Sequence, residues 1–520
     1  MSVSYRLFLP LDSVAVSLGA DGVAAAVLDE AKRRNINIDL VRTGSRGLHW
    51  LEPLLEFERG EERIGFAAAT PSDATSILEA IVSDKDHAKS IGPVESTPFL
   101  QRQTRLIFGR CGVVDPLSIE DYRRHGGFTG LGAAANKSAS EICQAVMDSG
   151  LRGRGGAGFP AGVKWKTVSE AAAEQKYIVV NADEGDSGTF ADRMIMEGDP
   201  FLLIEGMIIA GLATGATKGY IYLRSEYPIA ARILDSSIAK AYEDGLLGAD
   251  AGGSGKCFDI ELFIGAGAYI CGEETSLLNS LEGKRGEVRA KPPIPALQGL
   301  FGNPTLVHNV ITLCSVPAIL ANGAAFYRDY GMGKSTGTMP FQLAGNIKRG
   351  GLFECAFGVT LGELVNDLGG GTLTDGPVRA VQIGGPLGAY LPPSLFDLPM
   401  DYETMLANGA GVGHGGIVVF DDTVDLMTQA RYAFEFCAEE SCGKCTPCRV
   451  GAVRGVEVMD RWKAGQDSEL QRAVIDDLCE VMVDGSLCAM GGMTPIPVQS
   501  AMRHFPEDFG PRDSAAQAAK

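Results

Sequence analysis

The segment ESCGKCTPCRVG places Cys442, Cys445 and Cys448 at steps of three residues, and Cys488 follows in the segment DGSLCAMGG. Zinc sites usually take thiolates from two separated CxxC pairs, whereas the irons of a cubane need four thiolates that arrive from different directions. The spacing therefore favours a 4Fe-4S cluster, with zinc or free thiols as the alternatives. Cys479 competes for the fourth ligand position. We prefer Cys488, because it lies in a glycine-flanked turn and Cys479 lies inside a predicted helix.

The composition excludes several classes of protein. The 520 residues carry a formal net charge of −19 without a long Lys/Arg run, which argues against nucleic-acid binding. The first residues lack the basic and continuous apolar segments of a signal peptide. The longest apolar run, residues 201–216, contains Glu205 and is shorter than the ~20 residues of a membrane span, so it predicts a buried helix and no membrane insertion. Clustered cysteines then indicate metal binding in the cytoplasm rather than disulfides.

Five ranges of the chain differ in their patterns. Residues 1–85 alternate strand-like and helical segments in the order β-α-β-β-β-α, and residues 86–135 form a linker and lead-in. Residues 136–335 are a long glycine-punctuated α/β region. Residues 336–423 are β-rich around one helix, which is compatible with a β-grasp fold, and residues 424–520 are helical. The expected fold class is therefore α/β multidomain.

A glycine-rich segment, SGLRGRGGAGFPAGVKW, follows a predicted helix. Gly153, Gly155 and Gly158 formally match GxGxxG, but a Rossmann fingerprint must follow a strand and open a helix. Pro160 and Gly162 argue against an immediate helix, so the fingerprint interpretation fails on context. The glycines still leave the backbone open to a flat aromatic ring; a merely flexible loop is the alternative. Cations for a phosphate would come from Arg152, Arg154, Lys164 and Lys166.

The segment YIVVNADEGDSGTFADR predicts a buried strand that ends at Asn181, Asp183 and Glu184. Ligands of open α/β folds bind at the carboxyl ends of strands. Acidic and amide side chains there accept hydrogen bonds from ribose or ribityl hydroxyls. An acidic surface loop is the alternative interpretation.

A second strand, in FDIELFIGAG, leads into the predicted helix GEETSLLNSLEG. Glu273 and Glu274 lie near the start of this helix, where capping together with Thr275 is a strong structural alternative to ligand binding. Lys291 precedes a double proline and Asn309 lies beside another loop. A lone lysine is usually solvated, so these positions gain meaning only from the whole set.

Taken in order, GLRGRGGAGFPAGVKW, NADEGDSGTFADR, GAGAYICGEETSLLNSLEG and ESCGKCTPCRVG…SLCAMGG resemble the NADH-binding flavoprotein subunit of respiratory NADH:quinone oxidoreductase and related diaphorase subunits. The resemblance covers residues 111–520. It implies FMN, NAD and a 4Fe-4S cluster as cofactors. It also implies a Rossmann-like FMN/NADH domain, a β-grasp (ubiquitin-like) domain and a C-terminal four-helix bundle that carries the cluster.

The resemblance also implies roles for individual residues. Cys442, Cys445, Cys448 and Cys488 match the cluster ligands, and Glu184 and Glu274 would position the nicotinamide carboxamide and ribose. NADH would stack on the flavin with help from Phe159, Asp186 and Lys291. The implied flavin contacts are Gly153, Arg154, Gly155, Gly156, Lys164, Asn181, Asp183, Tyr269, Gly272, Glu273, His308, Asn309 and Thr312.

The chain differs from other family members at four positions in or near these implied sites. His308 stands where respiratory members often have asparagine, and Asp186 stands where glutamate is common. Thr167 and Ile294 replace aromatic residues that flank the nucleotide in some members. The departures bear on nucleotide affinity and adenine packing more than on flavin binding.

Residues 1–85 resemble the thioredoxin-like ferredoxin domain that holds a 2Fe-2S cluster in related diaphorases. The matching loops, LDSVAVSLGADG and RTGSRGLHWLEP, contain no cysteine, which implies a structural or docking role. A fused domain without a cluster is typical of the beta subunit of soluble, molybdenum-dependent NAD-linked formate dehydrogenase. The implied partners are a molybdopterin/iron-sulfur catalytic subunit and a small thioredoxin-like 2Fe-2S subunit. The alternatives are a respiratory flavoprotein, a hydrogenase diaphorase and a non-catalytic electron-relay or docking subunit.

Overall fold

The computed structural model describes residues 4–510, so the outer ends of the predicted first and last domains, residues 1–3 and 511–520, lie outside it. Within residues 4–510 the architecture is mixed α/β. It has a five-stranded sheet near the amino terminus, a four-stranded parallel sheet, a two-stranded ribbon and a second five-stranded sheet.

The amino-terminal sheet has the strand order β2-β1-β3-β4-β5. β1 and β2 are parallel, and β3, β4 and β5 add antiparallel neighbours. Gly60, at φ +67°, forms the tight turn between β3 and β4. The last strand lies beyond residue 85, so the sheet continues into the range predicted as linker. The elements are β1 (Ser4–Pro10), α1 (Ser13–Ser17), α2 (Ala20–Arg33), β2 (Asn37–Thr43), β3 (Leu55–Arg59), β4 (Glu62–Phe66), α3 (Ala74–Ser83) and β5 (Ser90–Pro93).

The central unit is built on a parallel sheet whose strand order is β8-β7-β6-β9. The chain moves outward from β6 to β8 and then returns to the other side of β6, which creates a switch point between β6 and β9. The elements are α4 (Pro98–Gln101), α5 (Ile119–Arg124), α6 (Thr129–Ala135), α7 (Ala139–Asp148), α8 (Ala161–Glu170), β6 (Tyr177–Ala182), α9 (Ala191–Gly198), α10 (Pro200–Thr214), β7 (Lys218–Leu223), α11 (Pro228–Glu243), β8 (Asp259–Ile264), α12 (Glu274–Leu281), α13 (Pro295–Gln298), β9 (Thr305–Asn309), α14 (Val310–Asn322) and α15 (Ala324–Arg328).

Two helices of this unit test the sequence predictions directly. All residues of α10 are buried, which confirms the buried helix predicted for the long apolar run. The expectation that Pro160 and Gly162 prevent an immediate helix is wrong, because α8 begins at Ala161. Pro160 occupies the cap position, where a helix needs no N–H from the ring nitrogen. Gly162 allows close packing, since a Cβ there would lie 2.5 Å from the Cα of Met147.

The next unit is a mixed sheet with the strand order β13-β12-β16-β14-β15. The central strand, β16, is parallel to its neighbour β12, and the other pairs are antiparallel. A single π-helical segment, Glu363–Leu368, lies between β13 and β14. The elements are β10 (Gly331–Met332), β11 (Ser335–Thr336), β12 (Thr338–Gly345), β13 (Gly351–Ala356), β14 (Val378–Ile383), β15 (Ala389–Leu391), α16 (Tyr402–Ala407) and β16 (Gly416–Asp421).

The carboxyl-terminal unit is helical. Its long helices pack antiparallel through buried stripes that include Phe434, Ala452, Met459 and Met482. None of the helices within residues 4–510 is long and apolar enough to cross a lipid bilayer. The elements are α17 (Leu426–Glu440), α18 (Thr446–Lys463), α19 (Ser468–Gly485), α20 (Ala489–Met493) and α21 (Pro495–His504).

Candidate functional site

Four cysteines line one cavity, which we call the cysteine cavity. Ile270 and Val288 of the central unit also line it. Cys479 lies elsewhere, fully buried in the core of the helical unit. All twelve cysteines fall within the described residues and are free thiols. The cysteines of the cavity are Cys442, Cys445, Cys448 and Cys488.

Two turns bring these thiols together. Cys445 caps α18 and Cys488 caps α20, so both precede the first turn of a helix. Gly443, at φ +77°, lets the chain bend between the first two cysteines. A Cβ on Gly491 would lie 2.7 Å from the Cβ of Cys448, so this glycine permits the close approach of the two turns. Four thiols that converge from two directions form the donor set that a 4Fe-4S cluster requires.

Polar contacts hold the cysteine turn against the central unit. Lys444 Nζ donates to the carbonyl oxygen of Val288 at 2.6 Å, and the guanidinium of Arg285 donates to the carbonyl oxygen of Cys442 at 3.3 Å. Glu440 accepts a hydrogen bond from the backbone N–H of Tyr269 at 3.1 Å. The wall of the cysteine cavity is therefore shared between two units of the fold.

A second site lies where the carboxyl ends of β6 and β9 meet the loop before α8. Asn181 and Asn309 are register partners on these two strands. Gly155 approaches so closely that a Cβ there would lie 2.9 Å from the Cβ of Asn309. Gly156, at φ +113°, has open space in front of it. We call the surface region where residues 153–156, 181–183 and 272 come together the glycine cleft.

Of the four predicted phosphate cations, Arg154 does not reach the glycine cleft with its side chain. Its guanidinium is fully buried and donates to the carbonyl oxygens of Thr336 at 2.6 Å and Thr338 at 3.2 Å, and to the Tyr327 hydroxyl at 2.9 Å. The prediction of a phosphate cation here is wrong, and only the backbone of Arg154 borders the cleft. Arg152 pairs with Glu403, and Lys166 with Glu170.

The strand-end residues are arranged around Gly272. The amide of Asn181 donates to the carbonyl oxygen of Gly272 at 2.7 Å. Asp183 is buried, and burial raises the pKa of its carboxyl group to about 7, with Arg224 opposing the shift. A Cβ on Gly272 would lie 3.2 Å from an Asp183 carboxylate oxygen. The edge of the cleft thus combines an amide with a carboxyl group that holds a proton near neutral pH.

Glu184 and Asp186 point into the protein rather than into the cleft. The Glu184 side chain is fully buried and accepts the backbone N–H groups of Asp192 at 2.8 Å and Arg193 at 2.9 Å, and the Tyr227 hydroxyl at 3.0 Å. The carboxylate stabilises the start of α9, and its contact with the nicotinamide stays a prediction. Asp186 accepts the hydroxyl of Tyr269 at 2.7 Å, and burial raises its pKa.

A chain of alternating charges forms one side of the cleft entrance. Glu273 caps α12 and also accepts from Lys291 at 3.0 Å. Glu274 accepts from Lys291 at 2.7 Å and from Lys164 at 3.1 Å. Burial acts to raise the pKa of Glu274, but the two lysines outweigh it and the pKa is lowered. Phe159 is 47% exposed beside Lys164, so an aromatic face and ionised groups meet at this entrance.

At the switch point, His308 is turned into the core. Its Nε2 accepts the indole N–H of Trp165 at 3.0 Å, and burial lowers its pKa well below the ordinary value, so it is neutral. The flavin contact of His308 stays a prediction, and the side chain packs against Trp165 in this structure. Asn309 caps α14 through Thr312, and the Thr312 hydroxyl accepts the backbone N–H of Arg154 at 2.9 Å. Asn309 and Thr312 thus hold the glycine-rich loop against β9.

Comparison with known proteins shows the family of the chain. Residues 146–318 match the Nuo51 FMN-binding domain, and residues 428–512 match the iron-sulfur binding region of NADH-ubiquinone oxidoreductase F. The chain is 42% identical to the F 2 subunit of NADH-quinone oxidoreductase in Rhizobium meliloti, over 78% of this chain and 96% of that protein. The chain belongs to the family of NADH-quinone oxidoreductase F subunits. It therefore carries an FMN-binding domain and a 4Fe-4S binding region, and the family binds NADH.

Members of this F-subunit family occur in different assemblies. The chain is 44% identical to the NADP-reducing hydrogenase subunit HndC of Solidesulfovibrio fructosivorans, over 79% of this chain and 83% of that protein. It is similar to the crystal structure of an NAD+-reducing [NiFe]-hydrogenase in the H2-reduced state, with a TM-score of 0.70 and 29% identity, over 99% of this chain and 87% of that one. The structural similarity thus extends through the amino-terminal sheet.

The sequence predictions missed several residues beside the two sites. His414 and Asp192 form a buried ion pair at 3.2 Å behind the glycine cleft. The thiol of Cys437 lies 3.6 Å from Cys448 Sγ, and the Ser441 hydroxyl lies 3.2 Å from the same sulfur. A signal for His414 was present, because it is one of only six histidines and stands between glycines in GVGHGG.

Proposed function

We propose that this member of the F-subunit family is the diaphorase component of a multisubunit enzyme and passes electrons between NAD(H) and a 4Fe-4S cluster through FMN. The observation that carries the proposal is the turn from Tyr269 to Gly272. Ile270 lines the cysteine cavity, and Gly272 borders the glycine cleft two residues later. The two candidate cofactor sites therefore share one short segment as their common wall.

FMN supplies the chemistry that joins the two sites, since it exchanges a hydride with NAD and single electrons with an iron–sulfur cluster. The chain itself binds and orients. Gly153, Gly155 and Gly156 would let the flavin ring lie against the backbone, and Asn181 and Asp183 would bond its ribityl hydroxyls. No catalytic acid or base is required for hydride transfer.

The nicotinamide side of the glycine cleft is formed by Phe159 and the charged groups at the entrance. We assign nucleotide binding to Phe159, Lys164, Glu274 and Lys291, whose side chains are partly exposed there. Tyr269 and Asp186 would support this region through their mutual hydrogen bond. The four cysteines of the cysteine cavity would hold the cluster.

The test uses the purified protein. We expect it to release one FMN on denaturation, to contain four irons that cysteine-cavity variants lose, and to reduce ferricyanide with NADH. A protein that binds neither flavin nor NADH would support the non-catalytic relay or docking role instead and would overturn the proposal.

The remote electron donor is a finer question, and we propose formate oxidised on a molybdopterin/iron-sulfur subunit. The support is the amino-terminal unit: no cysteine precedes Cys111, so this unit cannot hold a cluster of its own. Formate dehydrogenases of the soluble NAD-linked type resemble this arrangement. A small thioredoxin-like 2Fe-2S subunit is the second proposed partner, and the proposed location is the cytoplasm.

A hydrogenase donor is the second candidate, because the similarity to the NAD+-reducing [NiFe]-hydrogenase covers 99% of the chain. Metal analysis of the complex that co-purifies with the tagged chain separates the two. Molybdenum together with formate-dependent NAD reduction supports formate, whereas nickel together with hydrogen-dependent reduction overturns it.

Strand order supports a domain assignment for each sheet. The parallel β1/β2 pair followed by the β3/β4 hairpin supports a thioredoxin-like unit, and we place its end after Pro93 rather than at residue 85. The parallel order β8-β7-β6-β9 supports a Rossmann-like FMN/NADH domain. The order β13-β12-β16-β14-β15 supports a β-grasp domain, and α17, α18, α19 and α21 support a four-helix cluster domain.

A further inference from the structure

His414 connects the mixed sheet of the third unit to the glycine cleft. It lies just before β16 and is 4% exposed. Its Nδ1 lies 2.6 Å from the carbonyl oxygen of Arg154, to which this N–H donates. Its Nε2 lies 3.2 Å from Asp192 Oδ1 and 3.4 Å from Glu184 Oε1. One imidazole thus contacts the glycine-rich loop, the start of α9 and the segment after β6.

The residues that His414 contacts are in turn linked to residues that border the glycine cleft. The other carboxylate oxygen of Asp192 accepts the side-chain amide of Asn309 at 2.6 Å, and Asn309 contacts Gly155. Glu184 follows Asp183 directly and has φ +27°, a backbone conformation that its buried carboxylate contacts hold in place. The position of the cleft backbone therefore depends on where these two carboxylates lie.

The charges explain why an imidazole is needed at this place. Two buried carboxylates within a few ångströms of each other repel strongly when both are ionised. Burial acts to lower the pKa of His414, but Asp192 and Glu184 outweigh it and raise the pKa well above 6.5, so the ring carries a positive charge at neutral pH. The start of α9 adds partial positive charge at Glu184.

We propose that His414 is a positioning residue that holds the glycine-rich loop, Glu184 and Asp192 in the arrangement that binds FMN. The inference rests on the proposed FMN binding and adds a residue from the third unit to it. The charge of the ring matters, because Nε2 faces the carboxylates as an ion pair: within residues 4–510 neither Nε2 nor Asp192 Oδ1 has an aligned hydrogen-bond partner.

The experiment compares FMN dissociation constants of deflavinated full-length proteins, measured by quenching of flavin fluorescence. His414→Gln leaves two buried carboxylates without their cation, and we expect affinity for FMN to fall at least about tenfold. Adding Asp192→Asn removes one of the two negative charges, and the new side-chain amide keeps an oxygen for Asn309. We expect this second change to restore most of the affinity, which a loss of packing alone would not allow.

Arg46→Gln is the matched control. Arg46 forms its ion pairs with buried Glu56, at 2.5 Å, and with Glu95, and neither partner belongs to the cleft. We expect this variant to melt at a lower temperature and to bind FMN as the wild-type protein does.

The outcomes separate the inference from the proposed function. Wild-type protein that does not bind FMN overturns both. Unchanged affinity in His414→Gln, or a double variant that binds no better than the single one, overturns the positioning role alone. If His414→Gln does not fold, recovery of a folded, flavin-binding protein by Asp192→Asn supports the proposal, and a double variant that also fails to fold overturns it.

A divalent metal is the competing occupant, because Glu184, Asp192 and His414 offer ligand atoms that lie within 4.8 Å of one another. Elemental analysis distinguishes the two arrangements. We expect no stoichiometric zinc or manganese in the wild-type protein. One equivalent that disappears in His414→Gln would overturn the ion-pair proposal.

Discussion

The cysteine cavity and the glycine cleft lie on either side of one short turn, yet they are built in opposite ways. In the cavity, side chains converge: four thiols from two turns line one space. In the cleft, the backbone of the glycine-rich loop is exposed, and the side chains of Arg154, Glu184 and His308 turn away, while Asn181 and Asp183 form one edge. A metal cluster must be held by particular side-chain atoms, whereas a flat cofactor needs a surface from which side chains have been removed.

The largest expected effect tests the cysteine cavity and concerns Cys488. Cys488→Ala removes one of four thiols in the cysteine cavity, and we expect near-complete loss of the cluster, because a cubane needs a ligand at each iron. Iron content and the electron paramagnetic resonance signal of the reduced protein measure this. Cys479→Ala is the control, since that thiol is buried outside the cavity. Retention of the cluster in Cys488→Ala, with loss in Cys479→Ala, would reverse the ligand assignment.

The second prediction tests whether FMN binding requires a residue without a side chain at Gly155. Gly155→Ala would place a Cβ 2.9 Å from Asn309, so the loop must shift, and we expect FMN affinity to fall about tenfold or more. Gly132→Ala is the control, because nothing lies within 4 Å of a Cβ at this helical position, where alanine stabilises by roughly 0.5–1 kcal/mol. Equal FMN affinity in both variants would show that close backbone approach is not what the cleft requires.

The third prediction concerns the charged entrance, the part of the cleft that does use side chains. Lys291→Met removes the cation shared by Glu273 and Glu274, and we expect the KM for NADH to rise about three- to tenfold with a smaller change in kcat. Steady-state ferricyanide reduction gives both constants. Lys284→Met is the control, since Lys284 pairs with Glu282 on the outer surface. A fall in kcat at constant KM would contradict a nucleotide-binding role.

The last prediction is a dependence of stability on pH. The native carboxyl of Asp183 keeps its proton up to about pH 7, while the unfolded one ionises near 3.8. Its contribution to native stability is therefore present at low pH and declines as pH rises, by up to about 1.4 kcal/mol per unit between these values. Asp183→Asn abolishes this titration, so we expect its melting temperature to exceed that of the wild type by more at pH 8 than at pH 5.5. A constant difference would show that Asp183 is ionised throughout.

The sequence predicted those features that depend on the identity of a side chain. Four cysteines at the spacing of a cubane identified the cysteine cavity, and apolar periodicity identified the buried helix α10. Lys291 and Glu274 were also found, and the structure brings them together. In each case the chemistry of the residue limits where it can lie.

The sequence could not predict which polar residues make contacts that stabilise the fold. The guanidinium of Arg154 satisfies carbonyl oxygens about 180 residues away in the sequence, and Glu184 stabilises a helix start. His308 is buried because α8 begins directly after Pro160, which the sequence pattern did not predict. Such outcomes depend on contacts between distant segments, and no local pattern contains them.

The contacts of Lys444 and Arg285 carry a consequence for maturation of the protein. They tie the cysteine turn to the stretch that leads to Lys291, so we expect the order of that stretch to depend on whether a bound cluster holds the turn in place. We therefore expect a freshly synthesised chain to acquire a well-ordered nucleotide entrance only after iron and sulfide have been delivered. Hydrogen–deuterium exchange across residues 285–291 should be faster before delivery than after it.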